Sequence, residues 1–136
     1  MILDIETSIL ARLAAICPIG SNLLGTYDLV DYTDDNTAPV ALQIRLSQIS
    51  AAGQTGRSAR LSLVWTCSVF VDVPIATTEQ KAAADTLLSS AMSALSGWES
   101  SPGRECQIVD GERTTFDGRI LRLSFGIIIP AHIAGL

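Results

Sequence analysis

The sequence predicts a single α+β domain: a mixed, mostly antiparallel sheet, two helices packed on one of its faces, and a long projecting β-hairpin. Three observations carry that expectation. Hydrophobic periodicity runs helix, two strands, helix, then two or three strands, with no internal repeat and no linker to divide the chain. Every odd position from Ala59 to Val73 is apolar, the period of a half-buried strand. And 136 residues are enough to bury about 68 to 70% of the unfolded surface, so a core forms without disulfide or metal staples.

The helical period comes first. In "MILDIETSILARLAAICP" the residues Ile2, Ile5, Ile9, Leu13 and Ile16 recur at spacings of three and four, so they share one face. Asp4 and Glu6 sit in the first turn, where the helix dipole favours acids, and Pro18 ends the element. Residues 18 to 39 follow as a loop rich in Gly, Asn and Pro, carrying Asp28, Asp31, Asp34 and Asp35 with no base among them. That is longer than a structureless loop usually runs in a compact domain, which points to function or to order gained from a partner. The stretch "LGTYDLVDY" within it can hold a short strand.

The hairpin is next. Val40, Leu42, Ile44 and Leu46 alternate with smaller or polar residues, "SAAGQTGRS" supplies a flexible tip around Gly53 and Gly56, and the long apolar alternation follows. Taken whole, "RLSLVWTCSVFVDVP" (60 to 74) spans ~50 Å at about 3.3 Å per residue. A compact domain of this length has a radius of gyration of only ~14 Å. The strand therefore bends sharply or projects. The opposite face of the hairpin carries Gln43, Arg45, Ser47, Arg60, Ser62, Thr66, Ser68 and Asp72, with Val64 and Phe70 among them. Such a face suits either water or another subunit.

The second helix opens at "TTEQ", where Thr77 as N-cap and Gln80 at N3 make a capping box. Its apolar stripe is Ala84, Leu87, Leu88, Ala91, Leu95 and Trp98, and Pro102 and Gly103 then break the chain. In the last quarter, Asp110-Gly111 and Asp117-Gly118 favour tight turns, and Leu121, Leu123, Phe125, Ile127 and Ile129 alternate like the long strand with which they are expected to pair.

Composition narrows the functional classes. Nine basic against fourteen acidic residues give a net charge of -5, which argues against holding nucleic acid by neutralising phosphates. Hydrophobic residues make up 48% and charged ones 17%, a surface poor in charge that suits contact with partners. No basic leader precedes the first apolar residues, and the apolar run 120 to 136 is interrupted by Arg122, Pro130 and His132. The expectation is a soluble chain, cytoplasmic when made, without a membrane span.

Chemistry is sparsely signalled. The chain has one histidine, His132, and three cysteines, Cys17, Cys67 and Cys106, with no C-x-x-C spacing. That leaves no two-histidine metal site and no thiolate zinc site. "GQTGRS" (53 to 58) lacks the spacing, the lysine and the following helix of a phosphate loop. The four aspartates from 28 to 35 lack the spacing of a calcium loop. No catalytic residue, metal or cofactor is expected. What stands out is charge asymmetry, with Arg45, Arg57 and Arg60 on the hairpin and an acidic loop before it. A basic arm and an acidic loop can join copies head to tail, and such contacts close into rings.

The acid-led N-terminal helix "MILDIETSILARLAAI", the long loop, the large hairpin, the capped alanine-rich helix and the C-terminal strands together resemble the tail terminator proteins of long-tailed bacteriophages, including those of Mu-like prophages. The resemblance implies a noncatalytic virion protein that forms a hexameric ring on the finished tail tube, ends tube polymerisation and offers a docking surface to the neck or head-completion protein. It implies assembly in the host cytoplasm, residence at the tail-neck junction, and a lumen through which DNA passes unbound, as suits an acidic protein. On that basis Arg45, Gly53, Gln54, Thr55, Gly56, Arg57, Arg60 and Phe70 are expected at subunit or tube contacts, and Asp28, Asp31, Asp34 and Asp35 at the ring surface or lumen. The alternatives are another neck or baseplate ring subunit of a phage or contractile injection system, or a small α+β ligand-binding or enzymatic domain using Ser62, Thr66, Ser68, Ser124 and His132.

Overall fold

A computed structural model of the chain describes residues 2–17, 22–25, 39–101, 103–111 and 113–133. Helix α1 spans Ile2–Ala14 and buries Ile5, Ile9 and Leu13 of the stripe its spacing predicts, together with Glu6, which was expected only as a first-turn acid. A short strand β1, Asn22–Leu24, follows. It shares only Leu24 with the stretch expected to hold a strand; residues 26–38, with most of that stretch and with Asp28, Asp31, Asp34 and Asp35, lie outside the described residues.

Strands β2, Val40–Thr55, and β3, Ser58–Asp72, form the hairpin. The expected first strand of 40 to 47 is only half of β2. Pairing shifts register between Leu46 and Gln48 and again between Ala51 and Gly53, and each bulge inserts a residue that breaks the sequence alternation. Ladder pairing runs down to Thr55↔Ser58, so Gly53, Gln54 and Thr55 belong to the strand rather than to a loose tip. The turn is the two residues Gly56 and Arg57. Gly56 has φ +58 and Arg57 a negative φ, the sign pattern of a type II′ turn with glycine at its first central position.

Helix α2, Thr78–Leu95, carries the predicted capping box: Gln80 N–H donates to Thr77 Oγ1 at 3.1 Å and Thr77 N–H to Gln80 Oε1 at 2.8 Å. Strands β4, Gln107–Val109, β5, Thr115–Phe116, and β6, Ile120–Ile133, complete the chain. The sheet order is β1-β2-β3-β6-β4, with β5 also on β6; β1 is parallel to β2 and every other pair is antiparallel. As expected, β6 pairs with the long strand over its whole length, from Ile120↔Asp72 to Ile133↔Ala59.

The two Asp-Gly pairs do different work. Asp117 accepts from the backbone N–H of Arg119 at 2.8 Å and Ile120 at 2.7 Å, and Gly118 at φ +96 turns β5 into β6. Asp110-Gly111 is no hairpin turn, since β4 and β5 both lie along β6. There the chain passes so close that a Cβ on Gly111 would stand 2.4 Å from the Phe125 carbonyl carbon, and one on Gly126 2.6 Å from Asp110 O.

Both helices cover the same face of the sheet. Ile9, Leu13, Leu42, Ile44, Leu63, Trp65, Cys67, Val69, Leu95, Cys106, Ile127 and Ile129 are sealed in one core between them. The even-numbered face of β3 lies on the other side. Buried core positions on β3 begin at Leu63, while residues 58 to 62 are exposed or half-buried. The long strand thus accommodates its length by running past the core, with β2 and β6 alongside it as a three-stranded extension.

Candidate functional site

The residues expected at contacts separate into three places along the hairpin. At the tip, Gly53 to Arg57 form the last rungs and the turn, and Arg57 is exposed. Arg60 pairs with Gly53, and its guanidinium lies across that glycine: a Cβ there would stand 3.2 Å from Nη2. Arg45 pairs with Thr66, six residues or roughly 20 Å along β3 from Arg60. The three arginines therefore share a hairpin without forming one cluster. Phe70 is farther still, at the base of the sheet, half-buried against Ala41 and Ile120 with the Arg122 guanidinium 5.9 Å from its ring centre.

The middle of the sheet face opposite the helices is closed upon itself. Thr66 and Ser68 are buried. Thr66 Oγ1 donates to Ser47 Oγ at 3.2 Å, Ser47 Oγ to the Val64 carbonyl at 3.1 Å, Arg122 Nε to Ser68 Oγ at 3.2 Å, and Ser68 and Ser124 share a 2.9 Å hydrogen bond. These hydroxyls bond to one another, and among the described residues none of them is shown with a side-chain base. Burial pushes the Cys106 thiol up to about 12 and the Cys67 thiol higher still, with Cys17 also raised by burial. None is a thiolate near neutral pH. Among the described residues no group of three His, Cys, Asp or Glu side chains is arranged to hold a metal ion. Among the described residues no helix is long and apolar enough to cross a membrane.

Two of the depressions among the described residues bear on a contact site. A shallow groove of about 780 Å³ runs along α2, lined by Asp85, Thr86, Ser89, Ser90, Ser93, Ala94 and Ile16. Thr86 and Ser89 return their hydroxyls to the carbonyls of Ala82 and Asp85 one turn back, which leaves the groove little to recognise a ligand with.

The other, of about 460 Å³, lies at the hairpin end of the sheet and gathers Arg60, Leu61, Ser62, Arg104, Pro130 and His132. Arg60 and His132 face each other as a cross-strand pair. Arg104 comes from the loop after α2, which is folded back by Cys106 N–H to the Trp98 carbonyl at 2.7 Å and Gly97 N–H to the Cys106 carbonyl at 2.9 Å. Arg104 and His132 were not foreseen as contact residues. Their proximity to Arg60 depends on the β3–β6 register and on that loop, neither of which leaves a mark in the order of residues.

No protein-family model matches the chain, and no curated protein matches it. Among solved structures, the sheath/tube terminator of an extracellular contractile injection system, PVC, in its extended state, superposes with a TM-score of 0.64 at 13% sequence identity. The match covers 99% of this chain and 57% of that protein, so the chain spans somewhat over half of its length. The likeness is one of fold.

Proposed function

We propose that this chain is a noncatalytic structural subunit that forms a ring, six copies in the reading favoured here, on the end of a phage-like tail tube. There it ends tube polymerisation and presents a docking surface to a neck or head-completion protein. The observation that carries this is the fold likeness to a sheath/tube terminator over 99% of the chain. The hairpin agrees with it: β2, β3 and β6 extend beyond the core and bring Arg57 and Arg60 to the exposed end, where a neighbouring copy or the tube meets them. Arg45, Phe70 and the acidic segment 28 to 35 are assigned to the same assembly, and DNA passes the ring without being held.

The test is electron microscopy of particles from the cell that makes the protein, with a gold label on the chain. Label confined to tube ends, and tubes of uncontrolled length when the gene is removed, would support the reading. Label distributed along tubes, or absent from particles whose tubes keep their normal length without the protein, would overturn it.

A further inference from the structure

The cleft at the hairpin end is basic without compensation. Arg60, Arg104 and His132 line it with no carboxylate among the lining residues. Among the described residues no acid pairs with any of the three. Glu99 and Glu105 pair through their backbones across the loop, and the Glu105 carboxylate lies beside Gly97. On a chain of net charge -5, an unneutralised basic cleft calls for an acidic occupant. The densest acidic run in the sequence is the chain's own, Asp28, Asp31, Asp34 and Asp35 with no base between them.

Covalent reach decides which copy supplies it. Asp34 and Asp35 stand five and four residues before Pro39, and at no more than ~3.6 Å per residue they are tethered within ~18 Å of it. Pro39 accepts a 2.8 Å hydrogen bond from Asp72 N–H, at the end of β3 away from the cleft. Arg60 is twelve residues along that strand, roughly 40 Å at ~3.3 Å per residue. A chain cannot place this aspartate pair in its own cleft, but a neighbour can.

We infer that the Arg60, Arg104 and His132 cleft docks the Asp34-Asp35 segment of a second copy of this chain. The contact is heterologous, since cleft and segment are different surfaces, and it propagates around a ring. It deepens the ring reading above and rests on it. Charge steering makes the contact fall off with salt.

The experiment titrates a synthetic peptide of residues 26 to 38, TYDLVDYTDDNTA, into the full chain by isothermal calorimetry, with a short single-stranded oligonucleotide as a parallel probe. The expected result is saturable peptide binding that weakens about tenfold or more in Arg60→Glu/Arg104→Glu, weakens with the Asp34→Asn/Asp35→Asn peptide, and fades with added salt. Circular dichroism confirms that the variant is folded, and Arg104→Gln alone gives a milder second variant. No peptide binding, equal binding to folded wild type and variant, or arginine-dependent binding of the oligonucleotide in place of the peptide would overturn the inference. Failure here with label still at tube ends removes the cleft contact alone. Peptide binding with unlabelled tube ends removes the tube-capping reading instead.

Discussion

The indole Nε1 of Trp65 donates a 3.1 Å hydrogen bond to Oε1 of Glu6, joining the middle of β3 to the first turns of α1. Both residues are buried, Glu6 at 7% exposure and Trp65 at zero. Trp65 fills the space between sheet and helices, and its N–H gives the buried carboxylate a hydrogen-bond donor. Trp65→Phe keeps much of the volume but removes the donor, and is expected to cost about 1 to 3 kcal/mol. Trp65→Ala adds a cavity and is expected to cost about 3 to 5 kcal/mol. Urea unfolding monitored by circular dichroism reads both; a Phe variant as stable as wild type would show that the hydrogen bond contributes nothing net.

Gly126→Ala tests the close passage of the chain beside β6. The new Cβ meets Asp110 O at 2.6 Å, a backbone atom with no rotamer to yield. The expected loss is about 1 to 3 kcal/mol, the usual range for forced overpacking. Gly103→Ala is the contrast, since a Cβ there meets nothing within 4 Å and only the positive φ of 78 opposes it. Thermal unfolding of the pair separates crowding from backbone strain.

The thiols give a pH dependence of definite sign. Folding raises all three from an ordinary value of 9.0, Cys106 to about 12. The neutral thiols favour the folded state fully below pH 9, and that contribution is lost as pH rises above 9 and the unfolded chain ionises first. In the folded protein at pH 8.5, iodoacetamide is expected to reach half-exposed Cys17 first and Cys67 and Cys106 only after unfolding. Intact-mass spectrometry counts the adducts; prompt double or triple labelling of folded protein would contradict the burial.

Arg57→Glu tests the hairpin turn as an assembly contact. The side chain is exposed and its backbone is in an ordinary turn conformation, so stability should change by less than about 0.5 kcal/mol. Association of copies, or capture at tube ends, is expected to weaken, and by more at ~0.05 M than at ~0.5 M salt because screening already blunts such a contact. Sedimentation velocity at the two salt concentrations measures it, and unchanged association would take Arg57 out of the interface.

Periodicity alone determined a good part of this protein. The three-and-four spacing of Ile5, Ile9 and Leu13, the capping box at Thr77 and Gln80, and the odd-numbered alternation through Val71 each arise from contacts a few residues apart. Local geometry of that kind is written directly in residue order. The second half of β2 was not legible, because bulges near Ser47 and Ala52 each shift the alternation by one and erase its signature. The hidden role of Asp110-Gly111 was not legible either, since a close passage beside Gly126 looks like a turn when only the dipeptide is read.

The proposed interaction surface was legible only in its charge. Sequence supplied a basic hairpin and an acidic segment, but only the fold separated Arg45 from Arg60 by six residues of strand and brought Arg104 and His132 beside Arg60. The physical reason is register. Which side chains converge across a sheet depends on pairing between residues tens of positions apart, as in Arg60↔His132, and such long-range choices are made by the packing of the whole core.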